Sequence, residues 1–194
     1  MDRTVPCLRR PAVRIAGVVL AGLFLLAVFP GIARCATTIA IDQAVVQGSF
    51  APELLGVNVQ WTSGCDGLQE PGGGGLSPSV LARVKELAPP LVRYPGGLLS
   101  STQDWRLGVG PLEARGYSPD FVGNKEKMTC GTGEFLDFLK RIQARGMITA
   151  NVTRTPEEAA QWLEYVKKAG GDVPWWEIGN ESYFPQDPSY MSAE

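Results

Sequence analysis

Two carboxylates and an amide lie close together near the end of the sequence, in the stretch Trp175-Trp176-Glu177-Ile178-Gly179-Asn180-Glu181. The chain has no histidine, so carboxylates must do any acid–base work. A carboxylic acid beside an amide can protonate a glycosidic oxygen while the amide holds a sugar hydroxyl. Glu181 and Asn180 are candidates for these two tasks. The alternative is that Glu181 only opens the next loop.

The elements that would position these residues alternate in strand-then-helix order. Apolar runs predict strands at 54–59, 91–94, 147–152 and 173–178. Helices are predicted after Ser77-Pro78, along 135–142 and after Thr155-Pro156, with Gly146 as the glycine that follows the second helix. This order implies parallel strands with right-handed crossovers, in either a doubly wound sheet or a (β/α)₈ barrel.

Polar residues gather on one face of the predicted strands, where Arg93, Thr149, Asn151 and Glu177 alternate with apolar neighbours. A doubly wound sheet would need two apolar faces, whereas a barrel keeps its active site at the strand C-termini. We therefore predict an α/β fold comprising about the first four β/α units of a TIM barrel. The connection 95–132 is predicted to cover the site.

Four pieces of the sequence carry a resemblance to a known family. In chain order they are Arg93-Tyr94-Pro95-Gly96-Gly97, Asp104-Trp105-Arg106 with Gly108-Val109-Gly110-Pro111, Gly131-Thr132-Gly133-Glu134-Phe135-Leu136, and Thr155-Pro156-Glu157-Glu158-Ala159-Ala160 leading to Trp176-Glu177-Ile178-Gly179-Asn180-Glu181. The chain resembles the retaining glycoside hydrolases of clan A over about residues 50 to 185. It is most similar to the α-L-arabinofuranosidases of glycoside hydrolase family 51.

The resemblance implies that Glu181 is the general acid/base, that Asn180 binds the hydroxyl next to the anomeric carbon, and that Arg93 supports the site. Two positions depart from the family pattern, because Leu98 replaces a substrate-binding asparagine and Gln60 replaces a glutamate. Related barrels act on xylosides, glucuronides and galactosides, so arabinofuranose is the leading candidate among several sugars.

Other candidate contacts each have a structural alternative. Trp105 could stack on a sugar or pack its own loop, as could Trp61 and Tyr117. Asn151 is a candidate because of its inner-face position, and Gln60 because the resemblance places it where the family has a glutamate. Arg93 could pair with Glu177, contact substrate, or do both.

A retaining mechanism needs a second carboxylate about 5–5.5 Å from the first. In the resembling families this nucleophile lies on strand seven, so we expect it beyond Glu194. Residues 36–194 are then predicted to be the N-terminal half of a catalytic domain, inactive by itself. A non-catalytic carbohydrate-binding or surface interaction module is the competing hypothesis.

The first 35 residues resemble an export signal or an N-terminal anchor. Arg9, Arg10 and Arg14 precede an apolar run at 15–29 that is short for a membrane span. This pattern predicts a secreted or periplasmic protein. In that setting Cys65 and Cys130 could form a disulfide or remain free thiols.

The charge of the chain excludes one class of binding partner, nucleic acid. A net charge of −2, with 20% charged residues, gives no basic field for nucleic acid. We predict an oligo- or polysaccharide substrate, no metal and no cofactor. No membrane contact is predicted beyond the signal or anchor.

Overall fold

The computed structural model describes residues 39–40, 42, 44–45, 48–120 and 122–192. The chain divides into two compact units, Met1–Val45 and Val46–Glu194. The predicted signal or anchor at 1–35 lies outside the described residues.

The second unit alternates strands, helices and short 3₁₀ turns. The strands are β1 (Val57–Asn58), β2 (Leu91–Tyr94), β3 (Tyr117–Pro119), β4 (Lys125–Lys127), β5 (Arg145–Ala150) and β6 (Trp175–Ile178). The helices are α1 (Ser63–Gly67), α2 (Pro78–Leu87), α3 (Thr132–Ile142) and α4 (Pro156–Lys168). The 3₁₀ turns are Pro52–Leu55, Leu98–Ser101, Trp105–Gly108 and Leu112–Ala114.

The main sheet contains four parallel strands in the order β1-β2-β5-β6. The spatial order of these strands is their order along the chain. A doubly wound sheet would reverse direction at a switch point, whereas a barrel adds each strand beside the previous one. The second unit is therefore an α/β fold with a barrel-like parallel sheet. β3 and β4 form a separate antiparallel pair.

Local sequence signals explain where the helices begin. Pro78 and Pro156 each occupy the first turn of a helix, where the missing N–H costs no hydrogen bond. At α4 the Thr155 side chain accepts a hydrogen bond from the Glu158 N–H, which completes the predicted cap. The predicted starts of α2 and α4 are confirmed.

Several predicted boundaries differ from the structure, because the third strand, predicted at 147–152, is Arg145–Ala150 and the fourth, predicted at 173–178, is Trp175–Ile178. Two further differences have a clear physical reason. The first strand was predicted from residue 54, but Pro52–Leu55 forms a 3₁₀ turn and only Val57–Asn58 pairs in the sheet. Gly146 does not follow α3 as its terminating glycine, because Gln143 adopts the left-handed conformation there. Gly146 lies inside β5, where a Cβ would come within 2.8 Å of Leu139 and Val173. Close packing, rather than a turn, requires that glycine.

The core lies between the sheet and the helices. Val92, Tyr94 and Ile148 point from the strands into this layer and are fully buried. They pack against the apolar faces of α3 and α4, including Phe135, Phe138, Leu139, Trp162 and Val166. Ile178, predicted to be covered, is 76% exposed on β6, the edge strand of the described sheet.

Buried polar contacts fix the long connection between β2 and α3. The Arg115 guanidinium donates to both carboxylate oxygens of Glu134, at 2.9 and 2.7 Å, and to the backbone oxygens of Met128 and Thr129. Glu134 in turn accepts from the Gly131 N–H at the start of α3. These bonds join the connection to α3, and they therefore hold the connection in one conformation.

A disulfide joins Cys65 to Cys130, with the two Cα atoms 5.3 Å apart. Both cysteines are buried. Cys65 lies in α1, a single turn whose residues Gly64 to Asp66 have left-handed backbone angles. Cys130 directly precedes α3, and its carbonyl accepts from the Tyr94 hydroxyl at 2.8 Å. Of the two alternatives left open by the sequence, the structure contains the bonded pair.

Candidate functional site

Arg93 is the centre of a polar cluster on the inner face of the sheet. Its Nε donates to Glu177 Oε2 at 2.6 Å, and its Nη2 donates to Asn180 Oδ1 at 2.8 Å. Thr149 also donates to Glu177 Oε2, at 2.7 Å. The strand register places Thr149 directly beside Glu177 and Asn58 beside Arg93. The ion pair between Arg93 and Glu177, one of the alternatives that the sequence left open for Arg93, is therefore present, and Arg93 also holds the side chain of Asn180.

Asn180 has one half of its amide engaged. Its oxygen accepts from Arg93, whereas its buried Nδ2 has no hydrogen-bond partner within the described residues. An amide donor that is buried without a partner costs about 1–3 kcal/mol. A ligand hydroxyl placed against this nitrogen would remove that cost.

The turn after β2 packs against the Arg93 cluster and requires glycine. Gly96 has φ +46°, and a Cβ there would overlap Asn58 Oδ1 and lie 2.7 Å from Arg93 Nη1. Gln60 covers the next residue, since its Nε2 lies 3.1 Å from where a Cβ of Gly97 would be. The structure thus places Gln60 over the turn, while Asn58 accepts from Arg93 Nη1 at 3.3 Å.

Glu181 follows β6 on a strained turn. Its φ is +46°, a left-handed conformation that costs a non-glycine residue about 1–3 kcal/mol and occurs often at functional sites. Its side chain is exposed, and Oε1 accepts from the Tyr183 hydroxyl at 3.2 Å. This hydrogen bond and the negative charge of Glu181 raise the pKa of Tyr183.

Trp105 packs against α4 rather than standing free. Its ring is stacked on Trp162, with centroids 6.0 Å apart and planes 3° apart, and is tilted against Tyr165 at 5.4 Å. Trp61 is fully buried and donates to the Leu99 carbonyl at 3.3 Å. Both tryptophans therefore pack their loops, while Tyr117 is 58% exposed on β3.

Asn151 shapes the loop after β5. Its Nδ2 donates to the Gln103 carbonyl at 2.8 Å, and its Oδ1 accepts from the Thr153 N–H at 2.9 Å and hydroxyl at 2.8 Å. Both ends of its amide are thus used within the protein. These contacts join the loop to the β2–α3 connection.

A four-membered ion-pair ring holds the same connection to the start of α4. Asp104 pairs with Arg106 and Arg154, and both arginines also pair with Glu158. Burial alone would raise the pKa of Asp104, but the hydrogen bonds from Arg106 and the charge of Arg154 lower it below its usual value. Asp104 therefore stays charged at neutral pH, and the ring anchors the loop that carries Trp105.

The inner face of the sheet opens onto a cavity of about 560 Å³, lined by ten residues that include Asn58, Arg93, Met147 and Trp175. A second cavity, of about 610 Å³, lies between the ends of α3 and α4 and contains none of the candidate residues. Within the described ranges, no group of three or more metal-binding side chains occurs. The helices described there include none long and apolar enough to cross a membrane.

Curated relatives are identical to this chain at about a third of the aligned positions. It is 32% identical over 151 residues to the probable α-L-arabinofuranosidase C of Aspergillus niger. It is 32% identical over 181 residues and 37% identical over 133 residues to the intracellular exo-α-(1→5)-L-arabinofuranosidases of Streptomyces lividans and Acetivibrio thermocellus. These matches cover 66%, 79% and 65% of this chain but only 30%, 27% and 25% of the relatives.

Solved structures give the same result. A family 51 α-L-arabinofuranosidase from Bifidobacterium longum matches 73% of the chain and 32% of its own, with a TM-score of 0.64 and 31% identity. The relatives of this chain are α-L-arabinofuranosidases of glycoside hydrolase family 51. The Thermotoga maritima α-L-arabinofuranosidase, solved as an arabinose complex, matches 65% of the chain and 30% of its own, with a TM-score of 0.56 and 31% identity. The α/β fold with its parallel sheet resembles the barrel domain of these family 51 enzymes. No protein-family model matches the chain.

The prediction of a secreted or periplasmic location is wrong. The relatives from S. lividans and A. thermocellus are both named as intracellular enzymes. The prediction depended on the composition of the first 35 residues alone. Basic residues followed by an apolar run are a compositional pattern, and such a pattern alone does not determine where a protein is located.

The sequence placed Thr149 on the polar face of the strands without giving it a role, and it did not identify Asn58 or Tyr183 as members of the site. Thr149 and Asn58 follow from register, because each lies beside a charged residue of the neighbouring strand. Both residues could therefore be assigned to the site once the alignment of the strands was known. Tyr183 gave no sequence signal, because its contact with Glu181 depends on the path of an irregular loop.

Replacement of Arg93 by methionine tests the cluster. Breaking a buried ion pair costs about 3–5 kcal/mol. Because the Arg93 and Glu177 side chains are 25% and 37% exposed, we expect the free energy of unfolding in urea to fall by only about 2 kcal/mol. The matched control is Arg83→Met, whose pair with Glu86 is 80% and 67% exposed and should change stability by less than about 0.5 kcal/mol. Equal losses in the two variants would contradict the role of Arg93.

Proposed function

We propose that this chain provides the acid/base half of an α-L-arabinofuranosidase active site, with Glu181 as the proton donor. The observation that carries the proposal is the arrangement at the end of β6. Glu181 lies next to Asn180, whose amide is fixed by Arg93, and Arg93 is fixed by Glu177. The family 51 relatives support the assignment.

Each residue has a distinct task in the proposed reaction. Asn180 holds a sugar hydroxyl through its unpaired Nδ2, which orients the ring. Glu181 gives its proton to the glycosidic oxygen as that bond breaks, and later takes a proton from the attacking water. Arg93 and Glu177 keep the Asn180 amide in position and do not exchange protons with the substrate. The exposed position of Glu181 gives its carboxyl access to the substrate and to water.

We also propose that the described sheet belongs to a complete (β/α)₈ barrel. The four parallel strands and their helices correspond to the first four units of a (β/α)₈ barrel, and the inner-face cavity at Arg93 belongs to its lumen. A retaining mechanism requires a second carboxylate about 5–5.5 Å from Glu181 as nucleophile. The proposal assigns that role to none of the described residues. The proposed substrate is a saccharide bearing a terminal α-L-arabinofuranosyl group.

The test compares two leaving groups in the Glu181→Gln variant of a full-length protein that also supplies the second carboxylate. Protonation matters most when the leaving group is a poor one. We expect the kcat/KM for an arabino-oligosaccharide to fall on the order of a hundredfold, and that for a nitrophenyl arabinofuranoside to fall much less. The matched control is Glu157→Gln, an exposed carboxylate in the first turn of α4. Equal loss on both substrates in Glu181→Gln would contradict the acid role.

A non-catalytic carbohydrate-binding module is the second candidate. The observation that favours it is that the two tryptophans of the predicted site pack into the protein, while exposed aromatic residues follow β6. Such a module would bind saccharides without hydrolysing them, and Glu181→Gln would leave its affinity unchanged. Glu181-dependent hydrolysis would exclude it.

A further inference from the structure

Three aromatic side chains stand exposed in the segment directly after β6. Tyr183 is 73% exposed, Tyr190 49% and Phe184 39%. Neighbouring Met191 is 63% exposed. Large apolar side chains grouped on a surface commonly mark a binding site. None of these four residues belongs to the Arg93 cluster.

Hydrogen bonds hold this segment in one shape. The Phe184 N–H donates to the Glu181 carbonyl at 2.7 Å, and the Met191 N–H donates to the Ser182 carbonyl at 2.7 Å. The chain therefore folds back and brings Tyr190 and Met191 beside Ser182. An aromatic surface on a constrained loop loses little conformational freedom when it binds a ligand.

Two buried residues anchor the folded-back segment. Asp187 and Ser189 are 4% and 7% exposed, and Asp187 accepts from both the N–H and the hydroxyl of Ser189, at 2.7 and 2.5 Å. The Ser189 hydroxyl also lies 3.4 Å from that of Ser182 and 3.5 Å from that of Ser101 in the turn after β2. The segment is thereby tied to the strand end that carries Arg93.

The contact between Tyr183 and Glu181 indicates which ligand this surface fits. A general acid points at the oxygen between the sugar that is held and the group that leaves. Asn180 is buried and bound to Arg93, whereas Tyr183 is exposed and donates to the Glu181 carboxyl. A sugar whose hydroxyl contacts Asn180 would therefore extend its leaving group over Tyr183.

We propose that Tyr183 and Tyr190 form a binding surface for the saccharide leaving group. This inference rests on the proposed function of Glu181. An aromatic face packs against the C–H face of a sugar ring, and the phenol hydroxyls provide donors for sugar hydroxyls. The surface selects oligosaccharides over substrates with a small aryl leaving group.

Saccharide binding to the chain and its variants tests this proposal. Affinities for arabino- and xylo-oligosaccharides are measured by NMR titration for the parent chain, Tyr183→Ala and Phe50→Ala. Phe50 is the matched control, because it is an aromatic residue that is 63% exposed before the Pro52–Leu55 turn. We expect Tyr183→Ala to weaken binding about tenfold and Phe50→Ala to have no effect. Equal effects, or no saccharide binding by the parent chain, would overturn the proposal.

A Glu181→Gln arm separates this inference from the proposed function. The glutamine still accepts a hydrogen bond from Tyr183, so we expect saccharide affinity to stay within about twofold. Hydrolysis, measured in a full-length protein that also supplies the second carboxylate, should fall. If hydrolysis depends on Glu181 but saccharide affinity is unchanged in Tyr183→Ala, the leaving-group surface is overturned and the catalytic assignment stands. Binding that depends on Tyr183, with hydrolysis that ignores Glu181, overturns the catalytic assignment and leaves a saccharide-binding surface.

Discussion

Breaking the Cys65–Cys130 disulfide is expected to lower the free energy of unfolding by about 4 kcal/mol. The bond closes a loop across a sequence separation of 65, which restricts the unfolded chain. It also holds α1, where Ser63, Cys65 and Asp66 are non-glycine residues with positive φ. Those conformations are unfavourable without an external constraint. The measurement is the urea midpoint of the parent chain with and without a thiol reductant.

The variant Cys65→Ala/Cys130→Ala provides the control. It lacks the bond under all conditions, so reductant should leave its midpoint unchanged. Its stability should also approach that of the reduced parent chain, because both have the same unconstrained loop. A parent chain whose midpoint does not respond to reductant would show that the bond does not stabilise the fold.

Loss of the bond also reaches the candidate site through two routes. The Gln60 N–H donates to Asp66 of α1 at 2.8 Å, so the position of Gln60 above the Gly97 turn depends on that helix. The second route runs through Cys130, whose carbonyl accepts a hydrogen bond from the Tyr94 hydroxyl. Tyr94 is next to Arg93 in the sequence. The disulfide therefore supports Gln60 and Tyr94, which both lie beside the Arg93 cluster.

The sequence predicted the regular elements best where the local signal was strong. β2 has the predicted bounds, since a short apolar run is closed by prolines on both sides. α2 and α4 begin at the predicted prolines. The end of α3 was predicted wrongly, because a glycine can end a helix or permit close packing, and local sequence does not distinguish the two.

The same distinction applies to the candidate site. Alternation along the strands predicted that Arg93 and Glu177 share a face, and they form an ion pair. Residues on irregular segments were harder to predict. Trp105 was a candidate for sugar stacking, but its partners Trp162 and Tyr165 lie on a helix more than fifty residues later in the sequence. Long-range packing of this kind carries no local signature.

Replacement of Gly131 by alanine is expected to destabilise the protein by about 3 kcal/mol, the upper end of the usual cost of overpacking. A Cβ at Gly131 would overlap the carbonyl oxygen of Gly108 and lie 3.0 Å from its Cα. These are backbone atoms, which cannot rotate away as a side chain could. The φ of Gly131 is −95°, which alanine adopts freely, so the main cause of the effect is the contact with Gly108, with a smaller contribution from the loss of a glycine N-cap.

Gly133→Ala is the matched control for that prediction, two residues further along the chain. Gly133 lies in the first turn of α3, and a Cβ there would meet nothing within 4 Å. Alanine should therefore stabilise the helix by about 0.5–1 kcal/mol. Both substitutions restrict the unfolded chain equally, so the difference between their unfolding free energies isolates the contact between Gly131 and Gly108. That contact seats the Trp105–Gly108 turn against α3, and a destabilised Gly131→Ala protein should also show a changed environment for Trp105 in its fluorescence. Similar stabilities for the two variants would mean that the turn does not sit against α3 as described.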